Sequence, residues 1–262
     1  MANSSDKDRQ HEAKQGSIAV GSFILGHDPE VVRVAAAAGL DFLIIDIEHG
    51  TPTQELVGRF VDTAQNLALR VFVRCSMEDL PFLGSLFDRG LDGAIVAGAE
   101  TPEDVRNVIR TLKFAPLGTR GLNPFVPGTG YGTLDAATFM KEENTRTSVW
   151  IMAEKVNLVK RIDRISQLDG LDGVFFGPYD LSADLGVTGE VNNPAVTELI
   201  AGAVQTVTQN GRAAGIFSRD IEAARRWAEQ GMSFLAVGFD WPLLMVSWKG
   251  IAAAFREEGR EK

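Results

Sequence analysis

Acidic residues recur in this chain directly after short apolar runs. One such place reads Asp41-Phe-Leu-Ile-Ile-Asp46-Ile-Glu-His49, a second Val149-Trp-Ile-Met-Ala-Glu154, and a third Gly173-Val-Phe-Phe-Gly-Pro-Tyr-Asp180-Leu-Ser182. Runs of β-branched and aromatic residues of this length read as buried strands, so each acid falls at a strand end. Gly177-Pro178 closes the third run, because proline has no N–H to give to a central strand. Leu181 to Leu185 can then open a helix, whose free N–H groups suit an anion. Glu154 and Asp180, at two strand ends, form a pair of hard oxygen ligands for a divalent cation.

Placing such acids together requires a scaffold, and the rest of the chain reads as one. Strands are expected at 17–23, 41–46, 70–74, 93–97, 149–154, 173–177, 213–217 and 233–238. Helical segments lie between them, from Pro29–Ala38 through Pro52–Asn66, with Thr51 as N-cap, to Trp241–Glu258. Thr101-Pro102-Glu103-Asp104 is an N-cap, a first-position proline and two first-turn acids. The longest irregular stretch, 116–133, is rich in Gly and Pro. Eight strands in strict alternation with helices, within 262 residues, argue a parallel (β/α)8 barrel, the TIM barrel, as a single domain over residues 16–262. No Gly-x-Gly-x-x-Gly follows the first strand, which weakens a dinucleotide-binding reading.

Composition narrows the function class. The net charge is −9 without a long basic run, which excludes nucleic acid as a natural partner. No apolar stretch reaches the roughly 20 residues that span a bilayer. Residues 1–15 are polar and charged, expected as a disordered tail and unlike a secretory signal. The single cysteine, Cys75, excludes an internal disulfide and agrees with a reducing, cytoplasmic setting.

Chemistry in such barrels sits at the C-terminal ends of the strands. Those ends carry Phe23, then Asp46-Ile-Glu-His49, Arg74, Glu154, Asp180, Phe217-Ser218 and Asp240. With Asp46-Ile-Glu-His49-Gly50, Val73-Arg74, Pro116-Leu-Gly-Thr-Arg120-Gly121, Ala153-Glu154 and Gly177-Pro-Tyr-Asp180-Leu-Ser182 in this order, the chain resembles the HpcH/HpaI aldolase family over about residues 17–255. The resemblance implies metal-dependent (class II) pyruvate aldolase chemistry. It matches the family's two acidic metal ligands to Glu154 and Asp180, its Asp–His pair to Asp46 and His49, and its substrate-binding arginine to Arg74. It also implies a homo-oligomer, a trimer or hexamer, with C-terminal helices exchanged between subunits. The chain departs from the family at Phe23, where a Trp is common, and at Met152, where many members have Gln. The loop Asn123-Pro-Phe-Val-Pro-Gly-Thr-Gly-Tyr-Gly132 looks more like that of macrophomate synthase.

Each residue has a physical reason to serve. A divalent cation (Mg²⁺, Mn²⁺ or Co²⁺) acts as a Lewis acid on the enolate of a 2-oxo acid. The fork of Arg74 can bond the enolate oxygen or a carboxylate, or be held by Glu48 or Asp46 instead. His49, oriented by Asp46, can take or give a proton. The turn Gly177-Pro178-Tyr179-Asp180 leaves free backbone N–H groups from Tyr179 onward to hold the substrate carboxylate. Arg120 can reach an acceptor carboxylate, and Phe23, Phe125 and Phe217 can make an apolar acceptor wall. Lys155 is the one candidate for an imine mechanism. Alternation along the strand turns it away from the interior if Glu154 points in. The expected activity is carbon–carbon bond formation or cleavage between pyruvate enolate and an aldehyde, on 4-hydroxy-2-oxo acid substrates. An oxaloacetate decarboxylase or macrophomate synthase-like enzyme is the first alternative, and a non-catalytic small-molecule-binding barrel the second.

Overall fold

A computed structural model describes residues 17–257. The polar tail expected at 1–15 lies outside the described residues. Eight parallel strands close into a barrel in chain order: β1 (Ala19–Ile24), β2 (Phe42–Asp46), β3 (Arg70–Cys75), β4 (Gly93–Val96), β5 (Ser148–Ala153), β6 (Gly173–Phe176), β7 (Ala213–Ser218) and β8 (Phe234–Phe239). The helices are α1 (Glu30–Ala37), α2 (Gln54–Ala64), α3 (Leu80–Arg89), α4 (Pro102–Leu112), α5 (Ala136–Arg146), α6 (Val156–Val159), α7 (Ile162–Ser166), α8 (Pro178–Asp184), α9 (Pro194–Gln209), α10 (Ile221–Glu229) and α11 (Asp240–Glu257). The (β/α)8 expectation therefore holds.

Local chemistry sets the helix starts. The Thr101 hydroxyl accepts the Asp104 N–H at 3.2 Å while Asp104 accepts the Thr101 N–H at 2.8 Å, a reciprocal capping box. The cap of α2 is Thr53, whose hydroxyl accepts from Leu56 N–H at 3.3 Å, and not Thr51. Thr51 is instead 2.9 Å from His27 Nε2. The helical segment between β5 and β6 is broken into α6 and α7 around Lys160 and Arg161.

Two cores hold the barrel. Outward-facing Val and Ile residues pack under the helices. The interior is filled by rings: Phe42, Phe72, Trp150, Phe175 and Phe234. They fit because neighbouring strands present glycine to them. A Cβ at Gly93 would stand 2.4 Å from Phe72 Cε1, and one at Gly173 would stand 2.4 Å from Trp150 Cε3. Phe42 and Phe234 stack at 3.7 Å between centroids. The plug closes the lower barrel, so only the C-terminal end is open to chemistry.

The N-terminal face is tied by a repeated device. Asp41, Asp92 and Asp172, each just before an even-numbered strand, accept the N–H of Val20, Val71 and Val149 at 2.8, 2.8 and 2.7 Å. The segment 113–135 lies on this same face, because it leads from the end of α4 through α5 to the start of β5.

The helix α11 departs from the others. It touches β1 and β8, but Trp241, Leu244, Trp248, Ile251 and Phe255 remain 47–74% exposed. Among the described residues no helix is long and apolar enough to cross a membrane.

The aromatic plug has a direct test. Gly93→Ala is expected to cost about 1–3 kcal/mol, the usual range for overpacking, because the added methyl meets both the Phe72 ring and, at 2.8 Å, the Ser148 carbonyl. Urea denaturation measures it, and an unchanged midpoint would contradict glycine-fitted packing.

Candidate active site

The mouth is assembled from strand ends that the register sets side by side. Asp46 on β2 pairs with Arg74 on β3. Asp46 is fully buried, and both its oxygens are used. Oδ1 accepts from Arg74 Nε at 3.0 Å and from the backbone N–H groups of Glu48 and His49 at 3.2 Å each. Oδ2 accepts from Arg74 Nη2. This two-point fork sets the guanidinium plane, which lies 4.8 Å over the Phe23 ring. Glu48 Oε2 stands 3.6 Å from Arg74 Nε on the other side. Nη1 makes no hydrogen bond among the described residues.

The Asp46–His49 pairing differs from the sequence expectation. Asp46 binds the backbone N–H of His49, so it shapes the loop and does not orient the ring. The imidazole is 67% exposed, and its neighbour is Glu48, with Nε2 to Oε2 at 3.9 Å. Glu48 was visible in the sequence only as a possible partner of Arg74. Burial pushes its carboxyl above the usual range despite Arg74, and the nearby charge of Glu154 adds to the rise.

Glu154 follows β5. Its Oε1 accepts the Gly98 N–H at 2.8 Å, from the loop after β4. Burial raises its pKa, and the charge of Asp180 raises it further. Asp180 sits in the first turn of α8 and makes no hydrogen bond or ion pair among the described residues. A Cβ at Gly177 would make a tight contact, 3.1 Å, with Glu154 Cβ. The first intrahelical bond of α8 is Leu181 N–H to Gly177 O at 3.0 Å, so the N–H groups of Tyr179 and Asp180 precede it. Two neighbouring carboxylates, one of them uncommitted, fit a hard divalent cation. Among the described residues no group of three or more His, Cys, Asp or Glu has metal-holding geometry. Lys155, the residue after Glu154, is exposed.

The other side of the mouth is aromatic. Phe23 stacks on Phe239 at 4.9 Å and meets Phe217 edge-on at 5.9 Å. Phe217 and Phe239 are 5.0 Å apart, and Tyr179 lies 6.4 Å from Phe217. Phe239 was not among the sequence candidates. Strict alternation from Phe234 and Ala236 turns Gly238 inward, but β1 and β8 slip register between Gly21 and Phe23, and Gly238 has φ +71°. A glycine inside an apolar run was the available signal. Asp240 serves structure: its carboxylate accepts the N–H groups of Leu25 and Gly26 at 3.0 and 2.8 Å.

Two expected site residues are elsewhere. Arg120 is buried in the helix layer, bonded to Asp88 at 2.6 Å and Glu143 at 3.5 Å, with its guanidinium 4.4 Å over Phe114. It anchors the segment on the N-terminal face. Phe125, on that segment, is exposed beside Gly132 and takes no part in this barrel's own mouth.

The profile of the HpcH/HpaI aldolase/citrate lyase family matches residues 19–246. The chain belongs to this family. A hydroxypyruvate/pyruvate aldolase of Pseudomonas aeruginosa is 30% identical over 93% of the chain and 90% of its own length. The crystal structure of an HpcH/HpaI aldolase from Desulfitobacterium hafniense superposes with TM-score 0.82 at 31% identity, covering 91% of this chain and 93% of the other. Macrophomate synthase superposes with TM-score 0.80 at 23% identity, over 98% of this chain and 90% of its own, a likeness of fold. Membership in the HpcH/HpaI family agrees with the expected carbon–carbon lyase class and with metal dependence.

The Asp46 assignment separates two roles by stability. Asp46→Ala removes both bonds that hold the nearly buried guanidinium, leaving only the longer Glu48 contact, and is expected to cost about 3–5 kcal/mol, whereas His49→Ala at an exposed ring should stay within about 0.5 kcal/mol. Chemical denaturation compares them. Equal costs would contradict the view that Asp46 supports Arg74.

Proposed function

We propose that the chain is a divalent-metal-dependent aldolase that makes or cleaves the bond between pyruvate enolate and an aldehyde. The observation that carries this reading is the Glu154–Asp180 carboxylate pair beside an arginine held at two points by a buried aspartate. When bound by these carboxylates, Mg²⁺, Mn²⁺ or Co²⁺ supplies Lewis-acid stabilisation of the enolate. Arg74 offers Nη1 to the enolate oxygen or the substrate carboxylate, with its plane set before substrate arrives. The N–H groups of Tyr179 and Asp180, in the turn made by Gly177 and Pro178, receive the carboxylate of the 2-oxo acid. His49, on a loop shaped by Asp46 and beside Glu48, moves the proton to or from the acceptor oxygen. Phe23 and Phe217 form the apolar side.

Oxaloacetate decarboxylation would use the same enolate and needs no acceptor subsite. The aromatic half of the mouth supports the aldol reading over it. A non-catalytic barrel would have little reason to keep two like-charged acids together, one half-buried, because that arrangement costs stability. The free buried thiol of Cys75 suits the cytoplasm, where we place the enzyme.

We also propose a homo-oligomer, a trimer or hexamer, in which α11 lies against a neighbouring barrel. Trp241, Leu244, Met245 and Trp248 line one apolar groove on this helix, and an exposed apolar face of this size marks an interaction surface. Light scattering is expected to give a multiple of the 28.4 kDa chain mass at micromolar concentration. A stable, active monomer would reject the assembly.

The metal assignment is tested on the protein and on its activity. EDTA should abolish aldol cleavage, and Mg²⁺, Mn²⁺ or Co²⁺ should restore it. Borohydride with pyruvate should leave Lys155 unmodified. Glu154→Gln should leave the metal-free melting temperature unchanged or higher, since it removes a desolvated charge, yet lose the rise that metal gives the wild type. Activity after exhaustive chelation, or a trapped imine, would overturn the class II reading.

A further inference from the structure

The mouth is divided by charge. Asp46, Glu48, Arg74 and Glu154 stand on β2, β3 and β5 or just after them, whereas β1, β7 and β8 bring Phe23, Phe217 and Phe239 to the same level. The division depends on one backbone irregularity. Where β1 and β8 slip register, Ser22 Oγ donates to Gly238 O at 3.0 Å, bridging the two strands at the break. Gly238 takes a left-handed conformation there, which reverses the parity of β8 and brings Phe239 into the barrel. Without the break, the inward position would be a glycine and the wall would have a gap beside Phe23.

We propose that Phe239 is a specificity-determining residue and that the acceptor is an aldehyde with an apolar, uncharged substituent. The inference rests on the aldolase reading. In the addition, a C–H bond of the pyruvate methyl breaks, the enolate carbon bonds to the aldehyde carbon, and the aldehyde oxygen takes up a proton, giving a 4-hydroxy-2-oxo acid. The reacting carbonyl must lie on the charged side, where the enolate and the proton-transfer groups are. Its substituent is then directed across the mouth to Phe217 and Phe239, both partly exposed there, with Tyr179 at the edge. Rings in this arrangement gain by covering an apolar group and offer nothing to a second carboxylate or a chain of hydroxyls. Arg74, the cation over Phe23, already gives two nitrogens to Asp46. Arg219, the residue after β7, is exposed.

The test uses the Mg²⁺-loaded full chain with pyruvate and four acceptors: propanal, benzaldehyde, glycolaldehyde and succinic semialdehyde. Wild type is expected to show kcat/KM for propanal and benzaldehyde at least about 10-fold above the other two, the lower end of what a fitted apolar contact gives. Phe239→Ala should lower kcat/KM for benzaldehyde about 10-fold or more, with less than about threefold change for glycolaldehyde. Phe239→Leu, which keeps apolar volume, should lower benzaldehyde more than propanal, and it serves if the alanine variant does not fold. Deuterium exchange into the pyruvate methyl, followed by NMR, reads enolisation without an acceptor, and each variant's loss with an acceptor is taken relative to its own exchange rate. Preference for succinic semialdehyde or glycolaldehyde, or equal loss for all acceptors, with exchange intact, overturns the inference and leaves the aldolase reading standing. Wild type with neither exchange nor addition overturns the aldolase reading and this inference with it.

Discussion

A carboxylate removed entirely from water must find enough donors to replace its hydration, and Asp46 does so with one arginine and its own loop. The fork from Arg74 and the backbone N–H groups of Glu48 and His49 share its two oxygens. The pair forms because β2 and β3 run in register at these two residues and both side chains point inward above the aromatic plug. Remove the carboxylate and three things lose their support together: the orientation of Arg74, the path of the loop that carries His49, and the compensation of a nearly buried cation. A pair of this kind contributes little net stability, because desolvating both ions offsets their attraction. Its value lies in holding one guanidinium nitrogen in a set direction before a ligand arrives.

The carboxylates opposite are arranged the other way. Glu154 is pushed toward its protonated form by burial and by Asp180, and Glu48 by burial and by Glu154. Glu154 accepts one backbone hydrogen bond and Asp180 none among the described residues, and in the proposed function a divalent cation would be the partner that relieves this pair. At the other end of the barrel, aspartates cap the odd-numbered strands and Lys113 is buried against Asp172 at 3.1 Å.

Much of this was legible in the sequence, for physical reasons. Buried parallel strands must be apolar on both faces, so runs such as Asp41–Asp46 and Gly173–Gly177 stand out, and the strand-end acids with them. What a side chain does with its charge was harder to read. The family resemblance pairs the side chains of Asp46 and His49, yet a tight turn brings the backbone N–H of His49 to the carboxylate instead. Arg120 and Phe125 were read as mouth residues from their motif, although a segment between α4 and β5 must run on the opposite face. Thr51 was read as the cap of α2, but the helix begins only at Gln54 and Thr53 caps it. Phe239 was missed because one register slip inverts inward and outward, and no alternation rule anticipates it.

The measurement that bears most directly on this account is a crystal structure grown with Mn²⁺ and soaked with pyruvate, with the metal located by its anomalous scattering. The account requires a single strong peak bound by carboxylate oxygens of Glu154 and Asp180, with pyruvate on the open side of the ion and within hydrogen-bonding reach of Arg74. A peak bound by other side chains, or no peak at a manganese concentration that supports activity, would contradict it.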